Sequence, residues 1–234
     1  MIHNIIEWIY NSINWQVYTP LEIVLLGLGF ISWFAAYYYI IQDARTFKYC
    51  EMPMLVATGN IAWEFSYTFL LPNNLSVLFT IGAGLWFARD IFINAYVWRY
   101  WKNDVTNPWI GRTYHWWYIF SLISWFGIVY LMRTCGFDND LGVVSALIIN
   151  VAMSALYIYQ LVSFPEFRGK GMSYKAAWLK MFGTGIISVA SVFIWPTNHY
   201  LQVLCLVTWL LDMFYIYLFK NYQPDPTWLA RKRN

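Results

Sequence analysis

Three acidic side chains lie inside apolar stretches of this 234-residue chain. Glu64 stands in GNIAWEFSYTFLL, Asp90 in GLWFARDIFINAY, and Asp212 in TWLLDMFY. An ionised carboxylate near the centre of a bilayer costs on the order of several kcal/mol, so a chain keeps one there for a function or for a specific pairing. Burial favours the neutral acid, and a neutral acid can donate a proton.

Each acid shares a helical face with other polar side chains. Residues three or four apart on a helix are neighbours on one face. The pairs with this spacing are Asn60–Glu64, Glu64–Tyr67, Asp90–Asn94, Thr208–Asp212 and Asp212–Tyr215. The spacing predicts small polar clusters around the acids.

The charged neighbours divide the acids into two groups. Asp90 follows Arg89, so a structural pair with that cation, or a bond to Asn94, is the simpler interpretation. Glu64 and Asp212 have no basic residue within a turn on their own helices. For these two we predict catalysis as acids, and a carboxyl hydrogen-bonded between helices is the structural alternative.

Position along the helices permits a common site. With a rise of about 1.5 Å per residue, Glu64 lies roughly 16 Å, Asp90 roughly 15 Å and Asp212 roughly 10 Å from the inner ends of their segments. All three could border one cavity reached from the inner side. Lys180, near the start of its segment, is expected to extend its ammonium group to the inner interface.

Aromatic residues make up 22% of the chain, with 15 tryptophans. Interfacial belts account for most of the tryptophans, but Trp63, Trp86 and Trp209 lie deeper. Buried aromatic faces can stabilise a cation that lacks a counter-ion, and packing is the alternative. The residues predicted to bind the substrate or a cation are Trp63, Trp209, Asn60, Tyr67, Tyr215, Trp86 and Asp90.

A membrane bundle must position these groups. The chain is 60% hydrophobic and 12% charged, about half the charge of a soluble domain. One all-α membrane domain is predicted over 1–234, with an interfacial helix at 1–18. Seven spans are predicted at 21–41, 53–71, 75–100, 113–132, 141–164, 176–195 and 199–219.

The basic residues predict the orientation. With the N-terminus outside, the outer loops contain only Arg133, and the inner side contains twelve basic residues. These twelve are Arg45, Lys48, Arg99, Lys102, Arg112, Arg168, Lys170, Lys175, Lys220, Arg231, Lys232 and Arg233. The asymmetry predicts an N-out, C-in bundle with a cytoplasmic C-terminus.

Other classes have little support. The net charge is +3 and no basic stripe is present, which argues against nucleic-acid binding. The three cysteines and three histidines are scattered, so we predict neither a metal site nor a cofactor. A seven-helix transporter or small-ligand carrier is the alternative function, although its usual repeats and broken helices are not evident.

The motifs GNIAWEF and TWLLD, with the size and seven predicted spans, resemble the small seven-helix integral membrane terpene cyclases. That family is known from fungal meroterpenoid and indole-diterpene pathways, with bacterial relatives. Its catalytic pair, a Glu in the second helix and an Asp in the last, falls on Glu64 and Asp212. The sequence contains no DDxxD-like metal cluster.

The resemblance implies a metal-independent cyclase of isomerase or lyase type. Its acid protonates an epoxide or alkene of a prenylated or epoxyprenylated substrate, and a carbocation cyclises. The expected setting is a bacterial inner membrane or the endoplasmic reticulum, with a prenyltransferase and a flavin epoxidase in the same pathway.

Overall fold

The computed structural model describes residues 2–103 and 105–224, and these residues form helices without a strand. A π-helical turn, Ser66–Leu70, continues α3, and short 3-10 turns follow α4 and α6. The helices are α1 (Ile2–Ser12), α2 (Pro20–Phe47), α3 (Met54–Phe65), α4 (Val77–Tyr100), α5 (Pro108–Thr134), α6 (Val143–Ser163), α7 (Tyr174–Ile194) and α8 (His199–Asn221).

Six helices in the described part, α2 and α4 to α8, are long and apolar enough to cross a membrane. The remaining predicted span, 53–71, is α3, whose 12 residues are extended by the five of the π-helical turn. Seven spans and the N-out orientation therefore stay predictions. Arg231, Lys232 and Arg233 of the predicted inner charge lie outside the described residues.

Local sequence signals place the helix ends. Thr19 and Glu22 form a capping box at the start of α2, where Pro20 fits because the first helical position needs no amide donor. Ser173 caps α7, and its hydroxyl accepts from the Ala176 amide at 3.3 Å. Pro53 precedes the first residue of α3. These caps satisfy backbone donors that the bilayer could not.

The outer surface of the bundle is apolar. Phe120, Ile123 and Trp116 on α5 are 63%, 66% and 75% exposed, respectively. Such exposure would promote aggregation of a soluble domain, but it suits side chains that face lipid. The described part of the chain is therefore built as a multi-pass membrane protein.

Helices α2 and α7 cross in close contact. A Cβ added at Gly183 would lie 3.2 Å from the Gly29 carbonyl oxygen, and one added at Gly29 would lie 3.1 Å from the Gly183 carbonyl oxygen. Small residues allow backbones to approach this closely in membrane bundles. The crossing brings α7 against the side of α2 that carries Trp33.

Candidate active site

A cavity lies between α2, α3, α4, α6 and α7. Its unfilled space is about 970 Å³ with the opening to the surroundings included. Leu75 and Leu141 place one end at the 71–76 and 135–142 loops, on the predicted outer side. The lining does not extend to the inner loops, in contrast to the expected entrance from the inner side.

Aromatic rings form much of the cavity wall. Trp86 stacks on Phe30 at 4.4 Å between ring centroids, and the centroids of Trp63 and Trp86 are 6.5 Å apart. Trp33 and Phe79 also line the space. Trp63 is fixed because its indole Nε1 donates to the Gly142 carbonyl at 2.9 Å. The wall therefore presents several π-faces to whatever occupies the cavity.

A polar chain ends at Glu64 on the cavity wall. The Asn60 amide donates to the Tyr37 hydroxyl at 3.0 Å, and that hydroxyl donates to Glu64 Oε1 at 3.1 Å. All three residues line the cavity, and Glu64 is 3% exposed. The second carboxyl oxygen of Glu64 has no hydrogen-bond partner among the described residues. The chain fixes the orientation of the carboxyl group.

Three other lining residues carry a buried polar atom that lacks a partner in the described part of the protein. These atoms are Trp86 Nε1, Asn150 Oδ1 and Thr184 Oγ1. They offer one donor, one acceptor and one group that can do both. A ligand with an oxygen function would find hydrogen bonds here.

Asp90 lies behind Glu64 and is not part of the cavity wall. It is fully buried beside the Glu64 carboxyl and the Tyr37 hydroxyl, and neither of its carboxyl oxygens has a hydrogen-bond partner among the described residues. The predicted pairing with Arg89 is wrong: Arg89 forms no ion pair in 2–103 or 105–224, and its guanidinium stacks 4.4 Å from the Phe34 ring centroid.

The predicted bond between Asp90 and Asn94 involves the backbone. The Asn94 amide donates to the Asp90 carbonyl at 2.9 Å and to the Ala57 carbonyl at 3.1 Å, and its oxygen accepts from Tyr118 at 2.7 Å. Asn94 therefore links α3, α4 and α5 and leaves the Asp90 carboxyl to Glu64.

Asp212 belongs to a second polar cluster. It forms a buried ion pair with Lys180, whose ammonium also donates to the Ser154 hydroxyl at 2.7 Å. The expected extension of Lys180 to the interface is wrong, because the side chain is 2% exposed and bound to Asp212. Asp212 does not line the cavity, so the expectation that three acids border one cavity does not hold for it.

The two clusters are separated by a shared aromatic wall. The Lys180 ammonium lies 5.9 Å from the ring centroid of Trp33, which lines the cavity, and 5.8 Å from that of Tyr157. Tyr215 packs against Tyr157 with centroids 5.5 Å apart. The Asp212 cluster therefore lies behind Trp33 and contacts the cavity through this ring.

A further acid, Glu51, lies in the loop before α3. Its carboxylate accepts from the Ser173 amide at 2.8 Å, and the residue is 2% exposed. Burial raises the pKa of Glu51 to about 8, against the opposing effects of this hydrogen bond and of Lys180. This bond ties the loop to the start of α7.

Two remaining predicted site residues lie away from the cavity. Trp209 is 42% exposed on α8 and does not line the cavity. Tyr67 is fully buried, and its hydroxyl donates to the Asp138 carboxylate at 3.5 Å. The same carboxylate accepts from the Val144 amide at 3.0 Å. Tyr67 therefore supports the loop before α6 instead of orienting Glu64.

Sequence reasoning did not select Tyr37 or Lys180. Tyr37 stands in AAYYYII, where adjacent tyrosines give no signal for the one that faces α3. Lys180 did carry a signal, since an ionisable residue inside an apolar segment is a functional candidate with a partner to be found. The lysine side chain is long enough to reach the interface from this position, and the sequence does not show an ion pair between helices.

Known proteins resemble this chain over most of its length. The model of the Pyr4-like transmembrane terpene cyclases matches residues 10–224. The terpene cyclase cle7 of Aspergillus versicolor is 26% identical over 186 residues, which cover 76% of this chain and 74% of that relative. No solved structure matches. This chain belongs to the Pyr4-like transmembrane terpene cyclases.

Proposed function

We propose that this membrane terpene cyclase starts its reaction by protonating an epoxide or an alkene of a prenylated lipophilic substrate. The observation that carries the proposal is a single carboxyl, Glu64, at the wall of a cavity lined by aromatic rings. The lining of the cavity is mostly apolar, which suits a prenylated molecule. Among its few polar groups, Tyr37 and Asn60 form a hydrogen-bonded chain to Glu64.

Glu64 is the proposed proton donor. Its proton moves to the epoxide oxygen, whose C–O bond breaks, or to an alkene carbon, whose π electrons form the new C–H bond. Either step leaves a carbocation on the substrate and a carboxylate at Glu64. The Tyr37 hydroxyl, at 3.1 Å, stabilises that carboxylate by its hydrogen bond. Loss of a proton from the cyclised cation ends the reaction, so the product is an isomer of the substrate.

Trp63 and Trp86 are the proposed cation-stabilising residues. Both rings line the cavity with Glu64, and Trp63 is held by its bond to Gly142. A ring face within about 6 Å of a desolvated cation contributes up to about 2 kcal/mol. We do not assign such a role to Trp209, because its ring is exposed on α8.

Asp212 is proposed to act from behind the wall. As the partner of Lys180, it neutralises an ammonium group that lies 5.9 Å from the Trp33 ring. An unneutralised ammonium there would oppose a carbocation on the other face of the wall. Asp212 and Lys180 are thus positioning residues in this proposal, and Tyr215 packs beside them.

The proposed substrate carries a prenyl chain and an oxygen function. Trp86, Asn150 and Thr184 supply unpartnered polar atoms for that oxygen function. A prenyltransferase would attach the prenyl group of such a substrate. For an epoxide substrate, a flavin epoxidase would then form the epoxide. The proposed reaction needs neither metal nor cofactor, since the proton comes from Glu64.

Conversion by membranes tests the function. Membranes that contain the protein are incubated, in the presence of a chelator, with a prenylated aromatic compound and with its terminal epoxide. A cyclised product of unchanged mass is expected from one of the two. Transport is the alternative, since intramembrane acids also occur in proton-coupled carriers. Uptake of the compound into sealed vesicles without conversion would contradict the cyclase proposal and support the carrier.

A further inference from the structure

The carboxyl groups of Glu64 and Asp90 form a buried pair. Glu64 comes from α3 and Asp90 from α4, two helices that pack against each other, and their carboxyl groups are neighbours. Glu64 is 3% exposed and Asp90 is not exposed at all. Only Glu64 lines the cavity, so one member of the pair faces the substrate and the other faces the protein.

Three of the four oxygens in this pair lack a donor. Glu64 Oε1 accepts from Tyr37, but Glu64 Oε2 and both Asp90 oxygens have no hydrogen-bond partner among the described residues. A buried acceptor without a donor costs about 1–3 kcal/mol, and more when it is charged. A proton between the two carboxyl groups would give Glu64 Oε2 and an Asp90 oxygen a shared hydrogen bond.

The surrounding charged and titratable groups do not offer another solution. The Tyr37 hydroxyl on α2 already donates its hydrogen bond to Glu64, and Tyr118 on α5 donates to Asn94. Arg89, the adjacent cation on α4, stacks on Phe34. Two adjacent carboxylates in an apolar interior cannot both be ionised. The pair must therefore hold at least one proton.

We propose that Asp90 is a positioning residue that shares one proton with Glu64 and holds the cavity-facing carboxyl as an acid. In the form that donates, the proton is on Glu64 and the negative charge is on Asp90, away from the cavity. After Glu64 has donated its proton, repulsion by Asp90 favours its reprotonation. This inference rests on the proposed role of Glu64 as the donor.

Asp90→Asn tests the inference because an amide N–H would donate to a Glu64 carboxylate and stabilise the ionised form. Turnover per folded protein is expected to fall at neutral pH and to recover at lower pH. The basic limb of the pH–rate profile should therefore move to lower pH by about one pH unit or more. Asp90→Glu keeps a carboxyl and should keep the basic limb. Arg89→Gln is the matched control and should keep the wild-type profile.

Infrared difference spectra of purified protein without substrate supply an independent readout. At pH 7, the spectrum of wild type minus that of Asp90→Asn should show the band of a protonated carboxyl group. Glu51 is present in both proteins, so its band cancels. If Asp90→Asn does not fold, Glu64→Gln serves alone: a shared proton predicts loss of the whole band, whereas two independent neutral acids would leave the Asp90 band.

The two readouts separate the inference from the proposed function. An inactive Glu64→Gln enzyme together with an unchanged band and pH profile in Asp90→Asn would overturn proton sharing but leave Glu64 as the donor. Loss of the band in Asp90→Asn together with full turnover by Glu64→Gln would leave proton sharing intact and contradict acid catalysis by Glu64. A displaced profile in Arg89→Gln equal to that of Asp90→Asn would also overturn the inference.

Discussion

At the scale of single residues, the environment of each acid determines the chemistry open to it. Glu64 lines the cavity, Asp90 lies beside Glu64, and Asp212 forms an ion pair with the Lys180 ammonium group. The ion pair of Asp212 lies behind Trp33, whereas Glu64 is on the cavity wall itself. The donor is therefore expected at Glu64.

The aromatic wall gives the first prediction. Trp63→Leu removes a π-face from the cavity but keeps an apolar side chain, so a loss of about 1–2 kcal/mol in cation stabilisation is expected. Products that end early or contain fewer rings should increase in chromatographic analysis. Trp209→Leu is the control, because Trp209 is exposed on α8, and its products should equal those of wild type. Equal product profiles in both variants would mean that Trp63 only packs.

The buried ion pair gives the second prediction. Lys180→Met leaves the Asp212 carboxylate without a partner, and removal of one member of a buried pair costs about 3–5 kcal/mol. Thermal unfolding in detergent should therefore occur at a clearly lower temperature. Lys180→Met combined with Asp212→Leu removes both charges and should recover much of the loss. A double variant less stable than either single one would contradict the pairing.

At the scale of elements, the α2–α7 crossing positions the wall of the cavity. A Cβ at Gly183 would lie 2.6 Å from Trp33 Cδ1 and 3.2 Å from the Gly29 carbonyl oxygen. The Gly29 carbonyl belongs to the backbone of α2, so it cannot move aside as a flexible side chain could. The two helices can keep their spacing only if this position remains glycine.

Gly183→Ala is accordingly predicted to lower the unfolding temperature and to change the product profile, since Trp33 must shift. Gly127→Ala on α5 is the matched control because nothing lies within 4 Å of its added Cβ. Alanine is also favoured over glycine inside a helix by about 1 kcal/mol. The control should be as stable as wild type or slightly more stable. Wild-type stability and products in Gly183→Ala would contradict the tight crossing.

Helix existence was readable from the sequence, and contacts between helices were not. The seven long apolar segments predicted from the sequence agree with α2 to α8 within a few residues at most ends. Glycines such as Gly29 could mark a crossing, but the sequence does not name the partner helix. For the same reason, the Lys180–Asp212 pair was hidden, since it joins residues on different helices.

At the scale of the whole molecule, several described basic residues lie at helix ends on one side of the bundle. Arg45, Lys48 and Arg99 lie opposite to the end of α5 that carries Arg133. Arg133 is itself paired with Asp140. The cavity extends toward the Arg133 end, at Leu141 and Leu75. In the predicted orientation, we therefore expect the substrate to enter from the outer half of the bilayer.

Reporter fusions test that orientation. A reporter at the C-terminus is expected to signal from the cytoplasmic side, and one in the 135–142 loop from the opposite side, because positive charge is retained inside. If the two reporters signal from opposite sides of the membrane, an odd number of spans separates the 135–142 loop from the C-terminus, as predicted. A C-terminal reporter active outside would contradict the orientation and the predicted direction of entry.

The site was predictable in part, because the signals for acids and aromatics are local. Glu64, Asn60, Trp63 and Trp86 were selected from the sequence and line the cavity, although their roles stay proposals. Helical spacing placed Tyr67 near Glu64, but the chain enters a π-helical turn at Ser66 that changes this spacing. The depth of a residue along its helix likewise does not show which neighbouring helix its side chain contacts.

Turnover by Glu64→Gln tests the central claim most directly. The amide keeps the size of the side chain and can accept from Tyr37, but it has no proton to give to the substrate. General acid catalysis contributes about 10²–10⁴-fold, so conversion per folded protein should fall to about one per cent or less of wild type. An unfolding temperature close to that of wild type would show that the loss is chemical. Wild-type turnover by Glu64→Gln would contradict the account.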